Sequence, residues 1–129
     1  MNTEPWRLGA AELAGAIRDR QISAREATDS VLARIEAVNP QLNALATVLA
    51  DEARAAADAA DATQARGESL GPLHGVPVTI KVNVDVAGQP TTDGVAALKD
   101  NVAAEDSPLV RSLREAGAII VGRNNAPAF

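Results

Sequence analysis

A lysine placed inside a run of β-branched residues is the first feature of this chain able to do chemistry. From Val76 to Val86 the apolar residues Val76, Val78, Ile80, Val82, Val84 and Val86 alternate strictly with Pro77, Thr79, Lys81, Asn83 and Asp85. Period-two alternation of this kind reads as a β-strand with one apolar and one polar face. Pro77 belongs near its start, where a missing N–H matters least, and Gly75 and Gly88 bound it, with pairing expected to stop near Val84. On a solvated polar face Lys81 does nothing but dissolve the sheet. Packed against more protein it would be desolvated, and burial lowers a lysine's pKa until the neutral amine is a base near neutral pH. Periodicity leaves both readings open. His74, the sole histidine, sits in a turn-like Leu73-His74-Gly75 with no acidic neighbour and is expected to be structural.

The flanking elements are those of an α/β chain. Ala10 to about Arg20 reads as a short helix with Leu13, Ala14 and Ile17 on one face. Ser23-Ala24-Arg25-Glu26 is a capping box opening a helix with a stripe of Ala27, Val31, Leu32, Ile35 and Val38, and Asn39-Pro40 is expected to stop it near Val38. Residues 43–49 carry a weak strand signal. An alanine-rich helix runs from Asp51 to Arg66, ended by Gly67, its charged residues facing solvent. Ser107-Pro108 starts another helix with Leu109, Val110, Leu113 and Ala116 as its apolar face, ended by Gly117. Ala118 to Val121 follows as a short buried strand, and strand-helix-strand order predicts a parallel crossover to the Lys81 strand. The loop from Gly88 to Glu105 is longer than most connections. Pro5 and Trp6 are expected to dock on the body.

This pattern resembles the amidase signature family of serine hydrolases. The resemblance rests on Gly71-Pro72-Leu73-His74-Gly75-Val76-Pro77, Ile80-Lys81, Asp85-Val86-Ala87-Gly88, Pro90-Thr91-Thr92 and Gly94. It continues through Ala116-Gly117-Ala118-Ile119-Ile120-Val121-Gly122-Arg123 and Asn125, and is visible earlier in Ser23-Ala24, Ala33 to Pro40 and Leu42-Asn43-Ala44. The resemblance implies that Lys81 is the base of a Ser–cis-Ser–Lys triad, in which a weak hydroxyl nucleophile gives its proton through a second serine to the lysine. It also places Thr91, Thr92 and Asp93 near the active site as pocket candidates, although each is equally at home in an ordinary surface loop. No cofactor and no metal are called for.

Four departures accompany it. Val82 stands where an aspartate commonly follows the lysine. Arg123-Asn124-Asn125 replaces the frequent Lys-Thr-Asn, and Ala128 stands where glutamate is usual. Above all, no Gly/Ser-rich run occurs in the chain, and that run would carry both serines and the oxyanion-hole amides. Residues 1–129 therefore read as the N-terminal part of a single amidase signature domain, truncated before that segment. The expected fold is α/β: N-terminal helices and the first strands of a mixed sheet. The expected activity is hydrolysis of carbon–nitrogen bonds in a small-molecule amide, with this chain inactive by itself. The alternatives are the glutaminase-type subunit of a tRNA-dependent amidotransferase, and a non-catalytic interaction module or truncated product.

Composition agrees with an incomplete core. Hydrophobic residues make up 47% of the 129, but much of that is alanine, and Trp6 and Phe129 are the only Phe, Tyr or Trp residues. Marginal stability, self-association or association with a C-terminal part is expected. A net charge of −5 without a basic cluster argues against direct nucleic-acid or anionic-membrane binding. The lack of cysteine excludes disulfides and thiolate metal sites. With neither a signal-peptide pattern nor a stretch of membrane-spanning length, the chain is expected to be cytoplasmic.

Overall fold

The structure is a computed structural model that describes residues 3–127; Ala128 and Phe129 lie outside it. A short 3-10 turn at Pro5–Arg7 precedes α1 (Ala10–Arg18), α2 (Ala24–Leu42), β1 (Leu45–Val48), α3 (Ala50–Ala65) and β2 (Pro77–Lys81). A second 3-10 turn at Ala96–Leu98 leads to α4 (Pro108–Glu115) and β3 (Ile119–Asn124). The strands form a mixed sheet in the order β1-β3-β2, with β1 antiparallel and β2 parallel to β3. The parallel β2-β3 pair is the crossover expected from strand-helix-strand order.

Alternation along β3 divides the core into two layers. Ile119 and Val121 pack with Ala24, Leu32, Ala53 and Ala57 of α2 and α3. Ile120 faces the other way and packs with Leu49, Ile80, Val86 and Val110. Alanines at the α3 contact let that helix come close: Ala53 and Ala57 are fully buried. A third cluster of Leu13, Ala16, Ile17, Ile22 and Ala27 seats α1 on the start of α2.

Local signals placed the starts of α2 and α4. Ser23 Oγ accepts from the Glu26 amide (2.9 Å), and Glu26 Oε1 accepts from the Ser23 amide (3.1 Å). Long-range contacts reinforce that end, because the Asp61 carboxylate of α3 accepts from the Ala24 and Arg25 amides (2.7 and 3.1 Å). An acceptor with negative charge is favourable at the positive end of a helix. Ser107 Oγ likewise accepts from the Val110 amide at the start of α4. Trp6 docks as expected: its amide donates to Ser30 Oγ (3.2 Å), and the guanidinium carbons of Arg7 and Arg34 lie 4.5 and 4.2 Å from its ring centroid.

Several boundaries differ from the sequence expectation. Helix α2 runs through Pro40 to Leu42. A proline there removes one intrahelical hydrogen bond on an exposed last turn, and the end is secured otherwise. Asn43 takes the left-handed conformation with its amide on Asn39 O, while the Asn39 side chain both donates to and accepts from the Leu45 backbone. Strand β2 ends at Lys81, short of Val84, because the chain turns there with the Val84 amide on Lys81 O (3.0 Å). Strand β3 extends past Val121 to Asn124. Gly122, beyond the expected end, is needed inside the sheet: a Cβ there would lie 2.7 Å from Thr47 O. On α4, Val110 is buried and Leu113 half-buried, but Leu109 is 56% exposed, since so short a helix meets the sheet along a narrow stripe only.

Candidate functional site

Lys81 closes β2 at the margin of the sheet. Ile80 and Val82 on either side of it are buried, whereas Thr79, Lys81 and Asn83 are exposed on the opposite face. The sequence reading that packs this polar face against further protein is not fulfilled by residues 3–127 themselves, which leave the Lys81 side chain in solvent. Strand β2 pairs with β3 on one side, and among the described residues no strand pairs with its other side.

The backbone around Lys81 is fixed more firmly than its side chain. The Val82 amide donates to Asn124 O (3.0 Å), continuing the ladder by one step. Val82 O then accepts from both the Thr92 and Asp93 amides (3.0 and 3.2 Å). Two of the three pocket candidates are thus brought beside the residue that follows Lys81. Asp93 takes a left-handed φ of 52° there, and Thr92 Oγ1 accepts from the Gly94 amide.

Thr91 is differently employed. It is 7% exposed, and its hydroxyl donates to Asp85 Oδ1 (2.6 Å). Its backbone is clasped by Asn101, whose carbonyl accepts from the Thr91 amide and whose Nδ2 donates to Thr91 O. The long loop is therefore a built structure, pinned also by the Pro90–Val102 bridge and by the Ala87 amide on Asp106 Oδ1 (2.8 Å).

Sequence reasoning noted Arg123 as a departure from the family pattern but did not foresee its contacts with residues 80–90. Arg123 is 1% exposed, yet four of its N–H bonds reach carbonyl oxygens: Nε to Ile80, Nη2 to Lys81 and Val84, and Nη1 to Pro90. Burial lowers its pKa from the ordinary arginine value, and the charge of Asp85 works against that shift. The register of β2 on β3 shifts between Val78 and Thr79, which sets the extra residue Val121 opposite one step of β2. Beyond this bulge Arg123 lies toward the 82–90 segment. A charged residue directly after Ala118 to Gly122 was the available signal, since a strand that apolar rarely ends in an arginine without a partner.

His74, expected to be structural, is buried, and its Nε2 has no hydrogen-bond partner among the described residues. The residue is 8% exposed, its amide donates to Gly71 O (3.1 Å), and its Cα lies against Gly117, where an added Cβ would come within 2.7 Å. Residues 73–76 are zipped to 116–119 by the Leu73 amide on Ala116 O, the Gly75 amide on Gly117 O and the Ile119 amide on Val76 O. The described residues contain no group of three or more acidic or histidine side chains arranged to hold a metal ion, and no helix long and apolar enough to cross a membrane.

Comparison with known proteins adds the family. The Amidase family model matches residues 26–129. The chain is 51% identical over 124 residues to an indoleacetamide hydrolase from Bradyrhizobium diazoefficiens, covering 96% of this chain and 24% of that protein. It is 48% identical over 119 residues to a glutamyl-tRNA(Gln) amidotransferase subunit from Halorhodospira halophila, covering 92% and 24%. Among solved structures, a bacterial aryl acylamidase of the amidase signature family superposes with a TM-score of 0.88 at 34% identity, over 94% of this chain and 26% of that one. The chain spans about a quarter of the length of the curated relatives it matches. With the match extending from α2 through β3, the chain belongs to the amidase signature family.

Proposed function

We propose that this chain supplies the lysine base of an amide hydrolase working through a Ser–cis-Ser–Lys triad, and that both serines come from outside these 129 residues. The supporting observation is the place of Lys81: exposed on the polar face of an edge strand, with its backbone anchored on both sides and the 92–93 loop beside it. The open side of β2 leaves room for further structure, and the same structure would supply the desolvation that residues 3–127 do not. A lysine so covered loses charge readily and can take a proton relayed from a serine hydroxyl, then return it to the leaving amine. On this reading Thr92 and Asp93 border the substrate, a small-molecule amide, while Thr91 and Asp85 brace the loop from within. The chain by itself is inactive and associates with the remainder of the hydrolase or with a second copy. The absence of a membrane-spanning helix among the described residues fits a cytoplasmic location.

A second reading, the glutaminase-type subunit of a tRNA-dependent amidotransferase, draws on the 48% identity to a protein of that name. Both use the same lysine and differ in the amide presented.

The test compares three proteins on an anilide and on glutamine: the 129-residue chain, the longer hydrolase that carries it, and the latter with Lys81→Ala. The chain alone should show no turnover. The longer protein should hydrolyse at least one of the two, and Lys81→Ala should lower kcat by at least about 10²-fold while it remains folded, the usual scale for a positioned base. Turnover by the chain alone, or most activity surviving Lys81→Ala, refutes the assignment.

A further inference from the structure

We propose that Arg123 is the positioning residue for Lys81: a buried cation that gathers main-chain carbonyls around the lysine and holds that stretch in one conformation. This rests on the reading of Lys81 as the base and deepens it.

The geometry is unusual for an arginine. A buried guanidinium ordinarily meets a carboxylate, and here it meets backbone oxygens. Nε donates to Ile80 O (3.3 Å), Nη2 to Lys81 O (3.3 Å) and Val84 O (2.6 Å), and Nη1 to Pro90 O (3.1 Å). All four acceptors belong to residues 80–90, the segment that carries Lys81 and returns toward Thr92 and Asp93. Carbonyls at the end of an edge strand normally point at water. Those of Ile80, Lys81 and Val84 instead converge on one charge, so the chain is held before, at and beyond the lysine. Asp85 adds negative charge nearby while its carboxylate accepts from Thr91, which links the cation to the pocket loop.

The fork shape of the side chain matters. A guanidinium offers five N–H bonds in a rigid plane, and four of them are used here on carbonyls spread along the segment. A lysine has three donors on one nitrogen and can meet only part of the set. A methionine leaves all four carbonyls without this donor.

The test uses the longer hydrolase with Arg123→Lys and Arg123→Met, read two ways. Amide exchange should accelerate in peptides spanning 82–93 in the methionine variant, less in the lysine variant, and stay unchanged in α3. The kcat per folded molecule should fall about 10- to 100-fold in the methionine variant, the scale of a displacement near 1 Å, with KM altered less than about 3-fold. Arg123→Lys should recover part of the loss. A merely structural arginine would lower the folded fraction and leave kcat per folded molecule intact, and that result overturns the proposal, as does unchanged exchange in 82–93 or a loss confined to KM. If the methionine variant does not fold, the lysine variant decides by the same readings. Activity surviving Lys81→Ala sinks the base and the positioning role together. Activity lost in Lys81→Ala but kept in Arg123→Met sinks the positioning role alone.

Discussion

Gly117 joins α4 to β3 under two constraints that a single methyl group violates. Its φ is +95°, and an added Cβ would lie 2.7 Å from His74 Cα and 3.1 Å from His74 N. The left-handed conformation costs an L-residue about 1–2 kcal/mol. The contact is with backbone already tied to 71 and 116–119, which cannot swing aside as a side-chain tip would, so overpacking adds about 1–3 kcal/mol. Alanine reduces the freedom of the unfolded chain and returns about 0.4–1 kcal/mol. Gly117→Ala should therefore destabilise by about 1–5 kcal/mol, at the upper end a large share of the roughly 5–15 kcal/mol typical of a domain. Gly67 provides the control, because its φ of +73° carries the same conformational penalty while nothing lies within 4 Å of its Cβ position. Gly67→Ala should cost about 1 kcal/mol, the conformational contribution alone. Urea unfolding of both variants, at unchanged m-value, separates the two effects. Equal losses at the two positions would refute the close approach of His74 to Gly117, and a loss below about 1 kcal/mol at Gly117 would refute the strain as well.

Acid sensitivity should trace in part to Asp29. Burial works to raise its carboxyl, but hydrogen bonds from Arg54 and Arg25 outweigh that and hold it below its ordinary value of 3.8. A depressed folded pKa contributes stability that is present above 3.8 and lost as pH falls through the folded value. Asp29→Asn should thus lose less stability than the parent between about pH 5 and pH 2 in urea titrations, and equal losses would contradict the sign. Gln64 Nε2 donates to Ile17 O and Arg18 O, tying α3 to the end of α1. Gln64→Ala should cost about 1–2 kcal/mol and speed amide exchange in α1 ahead of α2, whereas uniform acceleration would show that α1 has no separate anchor.

What could be read from the residues was whatever depends on near neighbours. Ser23 with Glu26, Ser107 with Pro108, and the alternation about Lys81 each announce an element within a few positions, and each element is present. The crossover followed from element order. The failures share a different origin. Pro40 ends a helix by local rules, but Asn39 and Asn43 secure the extra turn through Leu45. Gly122 and Arg123 look unlike strand residues until the close approach of β1 and the carbonyls of 80–90 are known. Asp61 reads as a solvated charge on α3 and in fact caps α2. The candidate site was less legible from the residues: alternation left the role of Lys81 open, and only the family resemblance singled out Lys81 and the 91–93 loop, while the contacts of Arg123 were hidden because three of its partners are about forty residues away along the chain.

Pro77 to Lys81 also has a consequence for handling the molecule. A strand engaged along one border only presents amides and carbonyls ready to recruit another backbone, and proteins commonly restrain such a border with a proline at its head and a charge along it. Pro77 and Lys81 fill those two places. The ammonium group therefore works against edge-to-edge growth wherever that border is uncovered, and neutralising it should trade solubility for clumping as concentration rises.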